Sequence, residues 1–544
     1  MKHFMNARGA LVREAIDGTL MLEGHLARLD GYPDIKVVVR TDWDRSKVAI
    51  VSGGGAGHEP AHAGFVGRGM LTAAVSGEVF ASPSVDAVLA GILAVTGEAG
   101  CLLVVKNYTG DRLNFGLAAE RARSMGLAVE TVLVADDVAI PGAPQPRGVA
   151  GTLFVHKVAG HLAESGASLA AVKAAAQRVA DSVASLGIAL TSCTIPGQSA
   201  EPRMTATEAE LGLGIHGEPG AEKVALEEVH GLVAQMATRL GAAAPEGRLA
   251  VLLNNLGGVP AIEMSVVLHA LLTGALGQRT AWVFGPAALM TSLDMKGFSI
   301  SVLALDDELE AALLSPVGPH AWPRGRATGA LGLAPLPAAM RHASFEASSD
   351  LHREAAFDAV CGALIAGEAD LDALDAKIGD GDTGTTLASA ARSLLAQKHA
   401  LPFADLGALF AALSQHLSAA MGGSSGVLLG IFTAAVSAAM KSEASLAPAL
   451  ASGVARVQEY GGAREGDRTM LDALVPAVTV LSRGGTVAEA AVAARDGAER
   501  TAALEVARAG RSGYLRAETL RGVSDPGAVA VALVFEALAH LADT

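Results

Sequence analysis

Short strand-like runs alternate with helical ones up to about residue 315, and beyond residue 350 only helical patterns follow, so one chain must hold two different architectures. Residues 37–52 (VVVRTDWDRSKVAIVS), 101–107 (CLLVVKN), 129–135 (VETVLVA) and 250–254 (AVLLN) are rich in branched aliphatic residues, which favours strands. Alanine-rich stretches such as 85–97, 116–125 and 166–186 separate them and read as helices. This alternation predicts α/β units around a largely parallel sheet. After residue 350 the segments 351–367, 386–398, 403–420 and 427–441 are amphipathic and predict an all-helical part. Between the two, Pro316, Pro319, Pro323, Pro335 and Pro337 with several glycines discourage regular structure. The expected organisation is an α/β domain over 1–325, a Pro/Gly-containing linker over 326–349 and an all-α domain over 350–544, with a short strand near 339–346 as an open alternative. A length of 544 residues suits several packing units rather than one core.

Charge and hydropathy remove whole classes of partner. Asp and Glu number 56 against 41 Lys and Arg, the net charge is −15, and no basic run occurs, which argues against nucleic acid or an anionic membrane surface. Residues 417–440 carry no charge, yet Gly422, Gly423, Ser424, Ser425 and Gly426 interrupt them, so a buried helix pair joined by a Gly/Ser turn is expected rather than a bilayer span. The start, MKHFMNARGALVREAIDG, has no apolar secretory core, and cytoplasmic residence is expected. Cys101, Cys193 and Cys361 are odd in number and far apart, which fits buried small hydrophobes better than disulfides or zinc. Small molecules are the partners left.

The densest chemical signal is DAKIGDGDTGTT, which places Asp375, Asp380 and Asp382 within eight residues, with Gly379, Gly381 and Gly384 between and after them. Hard oxygen ligands at this spacing suit Mg2+ shared with phosphates. A solvated Asp/Gly turn would explain one or two of the carboxylates, though hardly all three. MGGSSG, residues 421–426, opens a long helical run, so the N–H groups of Gly423, Ser424 and Ser425 offer an anion site; a tight helix–helix contact is the alternative for such small residues.

Three further constellations lie in the α/β part. SGGGAGHEPAH, residues 52–62, follows a strand and brings Gly55, His58 and His62 together, and it lacks both a GK[ST] and a regular GxGxxG, so a polar substrate fits better than a nucleotide. KNYTGDRLNFG, residues 106–116, stands at the carboxyl end of the CLLVV strand, where ligands of open sheets bind, and offers Lys106, Asn107 and Asp111. A surface ion pair between Lys106 and Asp111 is the plainer reading. ELGLGIHGEPG, residues 210–220, sets His216 among glycines; taken alone, such a histidine is more often a hydrogen-bonded structural residue than a nucleophile. NNLGGVP, residues 254–260, follows another strand and could wall the same crevice.

Taken in order, SGGGAGHEPAHAGFVGRGMLTAAV, ASPSVDAV, VKNYTGDRLNFGLAAE, GIHGEPG, NNLGG, LDMKGFS, LDAKIGDGDTG, GGSSGV, EGDRTMLDAL and SDPGA resemble the single-chain ATP-dependent dihydroxyacetone kinase family over almost the whole chain. The resemblance implies an N-terminal α/β domain of two subdomains that binds the triose and a C-terminal barrel of helices that binds ATP. It implies His216 as the residue that captures the substrate carbonyl as a covalent hemiaminal, reversing the structural reading above. His58 would be the general base with Asp111 as its partner, and Gly55 and Lys106 would hold substrate hydroxyls. Asp375, Asp380 and Asp382 would hold two Mg2+ ions; Gly423, Ser424 and Ser425 would contact phosphate; Thr469, Met470, Asp525, Pro526 and Gly527 would line the nucleoside pocket. The loop reads DGDTG where phosphocarrier-dependent relatives commonly have DGDHG, which favours free ATP as donor. A homodimer is implied, with a domain-swapped arrangement as one form. Four-carbon ketoses such as erythrulose, a cyclising lyase reaction on FAD and a non-catalytic sensor are the alternative activities within the resemblance.

Overall fold

The computed structural model describes residues 3–31, 35–198, 203–337, 344–442 and 445–542. It divides into two compact units, Met1–Gly332 and Leu333–Thr544, the division falling within the segment assigned to the linker.

The first unit contains two sheets. One has the order β1-β2-β4-β3-β5-β6, built from β1 (Leu26–Arg28), β2 (Val37–Arg40), β3 (Ala49–Ala56), β4 (Ala73–Val79), β5 (Cys101–Lys106) and β6 (Val129–Val134). Strands β4, β3, β5 and β6 run parallel, while β1 and β2 pair antiparallel at the edge. Helices α1 (Leu11–Leu20), α2 (Val85–Val95), α3 (Thr109–Ser124), α4 (Thr152–Glu164) and α5 (Leu169–Ser182) accompany these strands. Strands β3 and β5 are buried throughout because helices cover both faces. Ala49, Val51, Cys101, Leu103 and Val105 join the core that includes Val88 and Ile92 of α2 and Phe115 and Ala118 of α3. Ile50, Leu102 and Val104 join the opposite core, with Leu153, Phe154 and Val155 of α4 and Val172 and Val179 of α5. The two-residue period of a strand therefore turns Ser52 and Lys106 toward the α4 side.

The second sheet has the order β13-β11-β10-β12-β7-β8-β9, from β7 (Ala184–Ala189), β8 (Glu208–Leu211), β9 (Glu222–Ala225), β10 (Leu249–Asn255), β11 (Thr280–Ala287), β12 (Gly297–Ala304) and β13 (Arg326–Ala327), with helices α6 (Val229–Ala243), α7 (Ala261–Thr273) and α8 (Asp307–Leu314). Here the expectation of a largely parallel sheet fails: β10 and β11 are parallel, but β10–β12, β12–β7, β7–β8 and β8–β9 are antiparallel. The reason lies in the connections. Strands β7, β8 and β9 follow one another without a crossover helix, and such strands return antiparallel. Their sequences, ASLGIA and EAEL among them, dilute the branched residues that marked the other strands. Residues 37–52 form two strands rather than one, broken where the Asp44 carboxylate accepts the Ser46 N–H at 2.9 Å.

In the second unit, α9 (Leu351–Ala366), α10 (Glu368–Ile378), α11 (Thr383–Ala396), α12 (Leu406–Ala420), α13 (Gly423–Ala439), α14 (Leu446–Gly461), α15 (Leu471–Ser482), α16 (Val487–Arg500), α17 (Ala517–Leu520) and α18 (Pro526–Ala542) are the described α-helices. Eight of them form a closed ring in which each packs on the next: α9, α11, α12, α13, α14, α15, α16, α18 and back to α9. Alanines make this closeness possible. Ala490, Ala494 and Ala498 of α16 recur at one-turn spacing and are buried, and at Gly497 a Cβ would stand 2.1 Å from the Asp472 carbonyl of α15. The uncharged stretch 417–440 is the expected helix pair, α12 and α13, and no helix among the described residues is long and apolar enough to cross a membrane. Of the strand suggested near 339–346, residues 339–343 lie outside the described residues, and 344–346 are not in a strand. Cys101 and Cys361 are buried free thiols, whereas Cys193 is half-exposed.

Candidate functional site

In the first unit the loop after β3 brings His58 into the core. Gly57, at φ +96°, gives the turn, and the Glu59 carboxylate closes it by accepting the Gly57 N–H at 3.0 Å. His58 is fully buried, and its Nδ1 lies 2.8 Å from the Thr291 carbonyl. A carbonyl only accepts, so Nδ1 carries the proton and Nε2 the lone pair. Nε2 is a buried atom with no hydrogen-bond partner. Burial, with His216 and Lys106 adjoining, holds the His58 pKa well below the ordinary imidazole value. The geometry is that of a neutral base with its acceptor nitrogen available.

His216 faces it at 4.9 Å between ring centroids. Phe80 stacks on His58 at 5.3 Å and meets His216 edge-on at 5.4 Å, and Tyr108 meets His216 at 4.4 Å. The loop of His216 is held by Glu218, whose carboxylate accepts the His216 backbone N–H at 2.8 Å and the Tyr108 hydroxyl at 3.4 Å. Arg147 braces the same loop, donating to the Gly212 carbonyl at 2.6 Å and to Asp137 at 2.7 Å. Burial lowers the His216 pKa, with Glu218 opposing, so its ring too is neutral and nucleophilic near neutral pH.

Lys106 and Asp111 do pair, at 3.8 Å, but both side chains are at most 3 % exposed, which corrects the plainer reading of a surface ion pair. Asp111 sits in the first turn of α3 and accepts the Ser82 hydroxyl at 2.5 Å. At Gly55 a Cβ would stand 2.8 Å from Phe80 Cα and Ala81 N, so glycine there lets the Phe80–Ser82 turn close on β3. Asn107 instead donates to the Pro146 carbonyl at 2.6 Å and is structural. Asn254 of NNLGG is saturated as well: it donates to the Met290 carbonyl and accepts the Leu289 and Met290 N–H groups. It thereby fixes the loop whose Thr291 carbonyl orients His58.

In the second unit Asp375, Asp380 and Asp382 present carboxylate oxygens within 4.8 Å of one another. Asp375 lies in the last turn of α10, and its Oδ2 accepts the N–H groups of Gly381, Asp382 and Thr383 at 3.0, 3.0 and 3.3 Å. One buried carboxylate thus cinches the loop, and the two exposed ones stand beside it. An all-oxygen donor set of this size fits Mg2+. Gly423, Ser424 and Ser425 form the exposed first turn of α13, behind Gly422 as N-cap. Elsewhere in the unit, Gly527 approaches Met470, where a Cβ would come within 3.4 Å of the methionine Cβ. Asp525 caps α18 by accepting the Ala528 N–H at 2.8 Å, Pro526 occupies the first turn, and burial pushes the Asp525 carboxyl up to about 6. Thr469 donates its N–H to Asp472 at 2.8 Å.

Sequence reasoning missed Phe80, Tyr108, Glu218 and Arg147 in the first unit and Arg468 in the second. Arg468 is fully buried at φ +64°. Its guanidinium donates to the carbonyls of Thr501 at 3.3 Å and Leu520 at 3.1 Å, and to that of Val523, which ties Thr469 and Met470 to the segment leading into Asp525. A buried arginine in GDRTM is a signal only once its carbonyl partners are known.

Comparison with known proteins agrees with this division. Residues 18–321 match the Dak1 domain family and residues 377–540 the DAK2 domain family. The chain is 49 % identical over 556 residues to dihydroxyacetone kinase of Citrobacter freundii, covering 99 % of each. It is 37 % identical over 577 residues to human triokinase/FMN cyclase, covering 99 % of this chain and 98 % of that one. The crystal structure of the C. freundii dihydroxyacetone kinase with AMP-PNP and Mg2+ superposes with a TM-score of 0.69 at 47 % identity, over 99 % of both chains. With both domain families matched in order and near-complete coverage at this identity, the chain belongs to the single-chain, two-domain dihydroxyacetone kinase family.

Proposed function

We propose that the chain transfers the γ-phosphoryl group of ATP to a hydroxyl of dihydroxyacetone, and of glyceraldehyde, with the first unit binding the acceptor and the second the nucleotide. The observation that carries this reading is the buried, partnerless Nε2 of His58 beside the neutral ring of His216. A ring nitrogen of His216 adds to the carbonyl carbon as the C=O π bond opens; the ring gives up its N–H proton and the oxygen takes one up, which completes a neutral hemiaminal. That bond selects a carbonyl next to a hydroxyl and rejects glycerol, which has none. Lys106, Gly55 and Asp111 hold the hydroxyls. His58 Nε2 then removes the proton from the reacting hydroxyl, its oxygen bonds to the γ-phosphorus, and the bond to the bridging oxygen breaks to release ADP.

Asp375, Asp380 and Asp382 would hold Mg2+, two ions in this reading, which when bound supplies positive charge against the phosphate oxygens. Gly423, Ser424 and Ser425 hold phosphate at the α13 N-terminus, and Thr469, Met470, Asp525, Pro526 and Gly527 line the nucleoside pocket. A homodimer and residence in the cytoplasm complete the reading on family resemblance alone; sedimentation of the purified chain tests the first. The function itself is tested by initial rates of ADP formation with dihydroxyacetone, glyceraldehyde, both erythrulose enantiomers and glycerol. Preference for dihydroxyacetone supports the triose reading, preference for one erythrulose reassigns the substrate, and no turnover with any acceptor overturns it.

A further inference from the structure

Beside the two facing histidines lies a second buried pair, His62 and His156, for which the chemistry above has no use. Lys106 Nζ has three N–H groups to place and no water to place them in, being fully buried. One goes to the Gly53 carbonyl at 3.0 Å and one to His62 Nε2 at 2.7 Å. At 3.8 Å, Asp111 Oδ2 is too distant for a good hydrogen bond. With two directions fixed, the third N–H is aimed away from both acceptors. Gly54 lies against the ammonium: a Cβ there would stand 2.4 Å from Lys106 Nζ and 3.4 Å from Asp111 Oδ2, so only glycine leaves Nζ its place beside the carboxylate. A substrate hydroxyl that reaches both Lys106 Nζ and Asp111 Oδ2, which stand 3.8 Å apart, could accept from the ammonium and donate to the carboxylate at once.

The histidine tautomers follow from their partners. Lys106 only donates, so His62 Nε2 accepts and its proton is on Nδ1, a buried atom with no partner. Ser52 donates its hydroxyl to the Val104 carbonyl at 2.7 Å, so at 3.0 Å from His156 Nε2 it accepts. His156 therefore carries its proton on Nε2 and leaves its Nδ1 lone pair buried and unpaired. The two rings meet edge-on at 5.3 Å, one ending in an orphan donor and the other in an orphan acceptor. Burial holds both neutral, His156 down to about 3. A carboxylate in place of His62 would form a full ion pair with Lys106 and compete with Asp111; a neutral imidazole accepts one hydrogen bond without capturing the charge.

We propose that His62 is a positioning residue for the acceptor: it fixes the Lys106 ammonium so that its remaining N–H meets a substrate hydroxyl shared with Asp111, with His156 bracing the His62 ring from α4. This rests on the acceptor site proposed above. The test compares His62→Gln, whose amide oxygen reaches the Nε2 position, with His62→Asn, whose shorter amide stops at the Nδ1 position, in steady-state assays of the full chain with Mg2+ and ATP. A grip lost equally from ground and transition states raises KM and leaves kcat. His62→Asn is therefore expected to raise KM for dihydroxyacetone about tenfold, the equivalent of one charge-assisted hydrogen bond, with kcat within about threefold and KM for ATP unchanged. His62→Gln is expected to stay within about threefold of wild type in all three values. Thermal melting of both variants separates this from loss of fold. Equal KM for His62→Asn and wild type, or a common fall in kcat that Gln does not rescue, overturns the inference while a working wild type leaves the kinase reading intact. A wild type inactive with every acceptor takes both down together.

Discussion

His58 joins a sequence signal to a structural one at a single atom. Its identity is legible in GGGAGHEP, but its tautomer is not: that depends on the Thr291 carbonyl, placed there by Asn254 from a different strand. Replacing His58 by Ala removes the base and leaves the His216 ring; kcat should fall by about 10²- to 10⁴-fold, while 13C NMR of dihydroxyacetone labelled at the carbonyl still shows capture. Retained kcat in that variant would remove His58 from the mechanism. The pH dependence follows from the same burial. A base whose pKa lies well below 6.5 stays neutral as pH falls through that value, so the acid limb of kcat/KM should lie below the ordinary imidazole range. Protonation in the unfolded chain comes first, so stability declines on the same side, below pH 6.5. An acid limb centred at or above 6.5 would contradict the buried-base assignment. Phe80, Tyr108 and Glu218 were illegible for a plain reason: they are ordinary residue types that become site residues only when the chain folds the Phe80 turn and the His216 loop onto His58.

Elements carry these atoms into place, and their visibility in the sequence tracks how continuous their apolar runs are. Strands β3 and β5, buried on both faces, were plain; β7, β8, β9 and β12 were not, because serine, glycine and glutamate break their runs. Helix α3 begins at Thr109, earlier than the alanine-rich stretch suggested, and that earlier start is what sets Asp111 on a helical first turn beside Lys106. Helix α4 depends on one residue outside it. Asp136, just after β6, accepts the Val149 N–H at 2.7 Å and the Gly151 N–H at 2.8 Å with its two oxygens, in full burial. These donors belong to the segment that leads into α4, so the carboxylate fixes how the helix enters. Asp136→Ala leaves two buried donors unsatisfied and should destabilise the first unit by about 2–4 kcal/mol, read as a lower denaturant midpoint. Because α4 carries His156, KM for dihydroxyacetone should rise as well. A variant with unchanged midpoint and KM would show that α4 is held by its core contacts alone. A smaller effect is expected in the second unit, where Thr486 and Glu489 form a reciprocal cap on α16; Thr486→Ala should cost about 1 kcal/mol.

For the molecule as a whole, the sequence announced two architectures, and the structure divides the chain at Gly332 and Leu333. Its chemistry divides in the same place. Every group suited to a carbonyl and its hydroxyls, His58, Lys106, Asp111 and His216, belongs to the first unit, and the oxygen cluster of Asp375, Asp380 and Asp382 belongs to the second. Each half can therefore be disabled alone. His216→Ala should abolish the carbonyl 13C shift of bound dihydroxyacetone and leave calorimetric binding of AMP-PNP with Mg2+ within about twofold of wild type, since the residue belongs to the first unit and the oxygen cluster to the second. Asp380→Ala should do the reverse: capture unchanged, nucleotide affinity lowered at least about tenfold through loss of an Mg2+ ligand. Turnover should be lost in both, because phosphoryl transfer requires both partners held at once. An equimolar mixture of the two variants adds a further reading. If each chain works with its own two units, the mixture stays inactive. If units from different chains serve one reaction, as in a swapped dimer, mixed assemblies recover activity, up to about one half of the wild-type rate per assembly for a two-site dimer. Equal loss of capture and nucleotide binding in either variant, with the fold intact, would dismantle the division of labour itself.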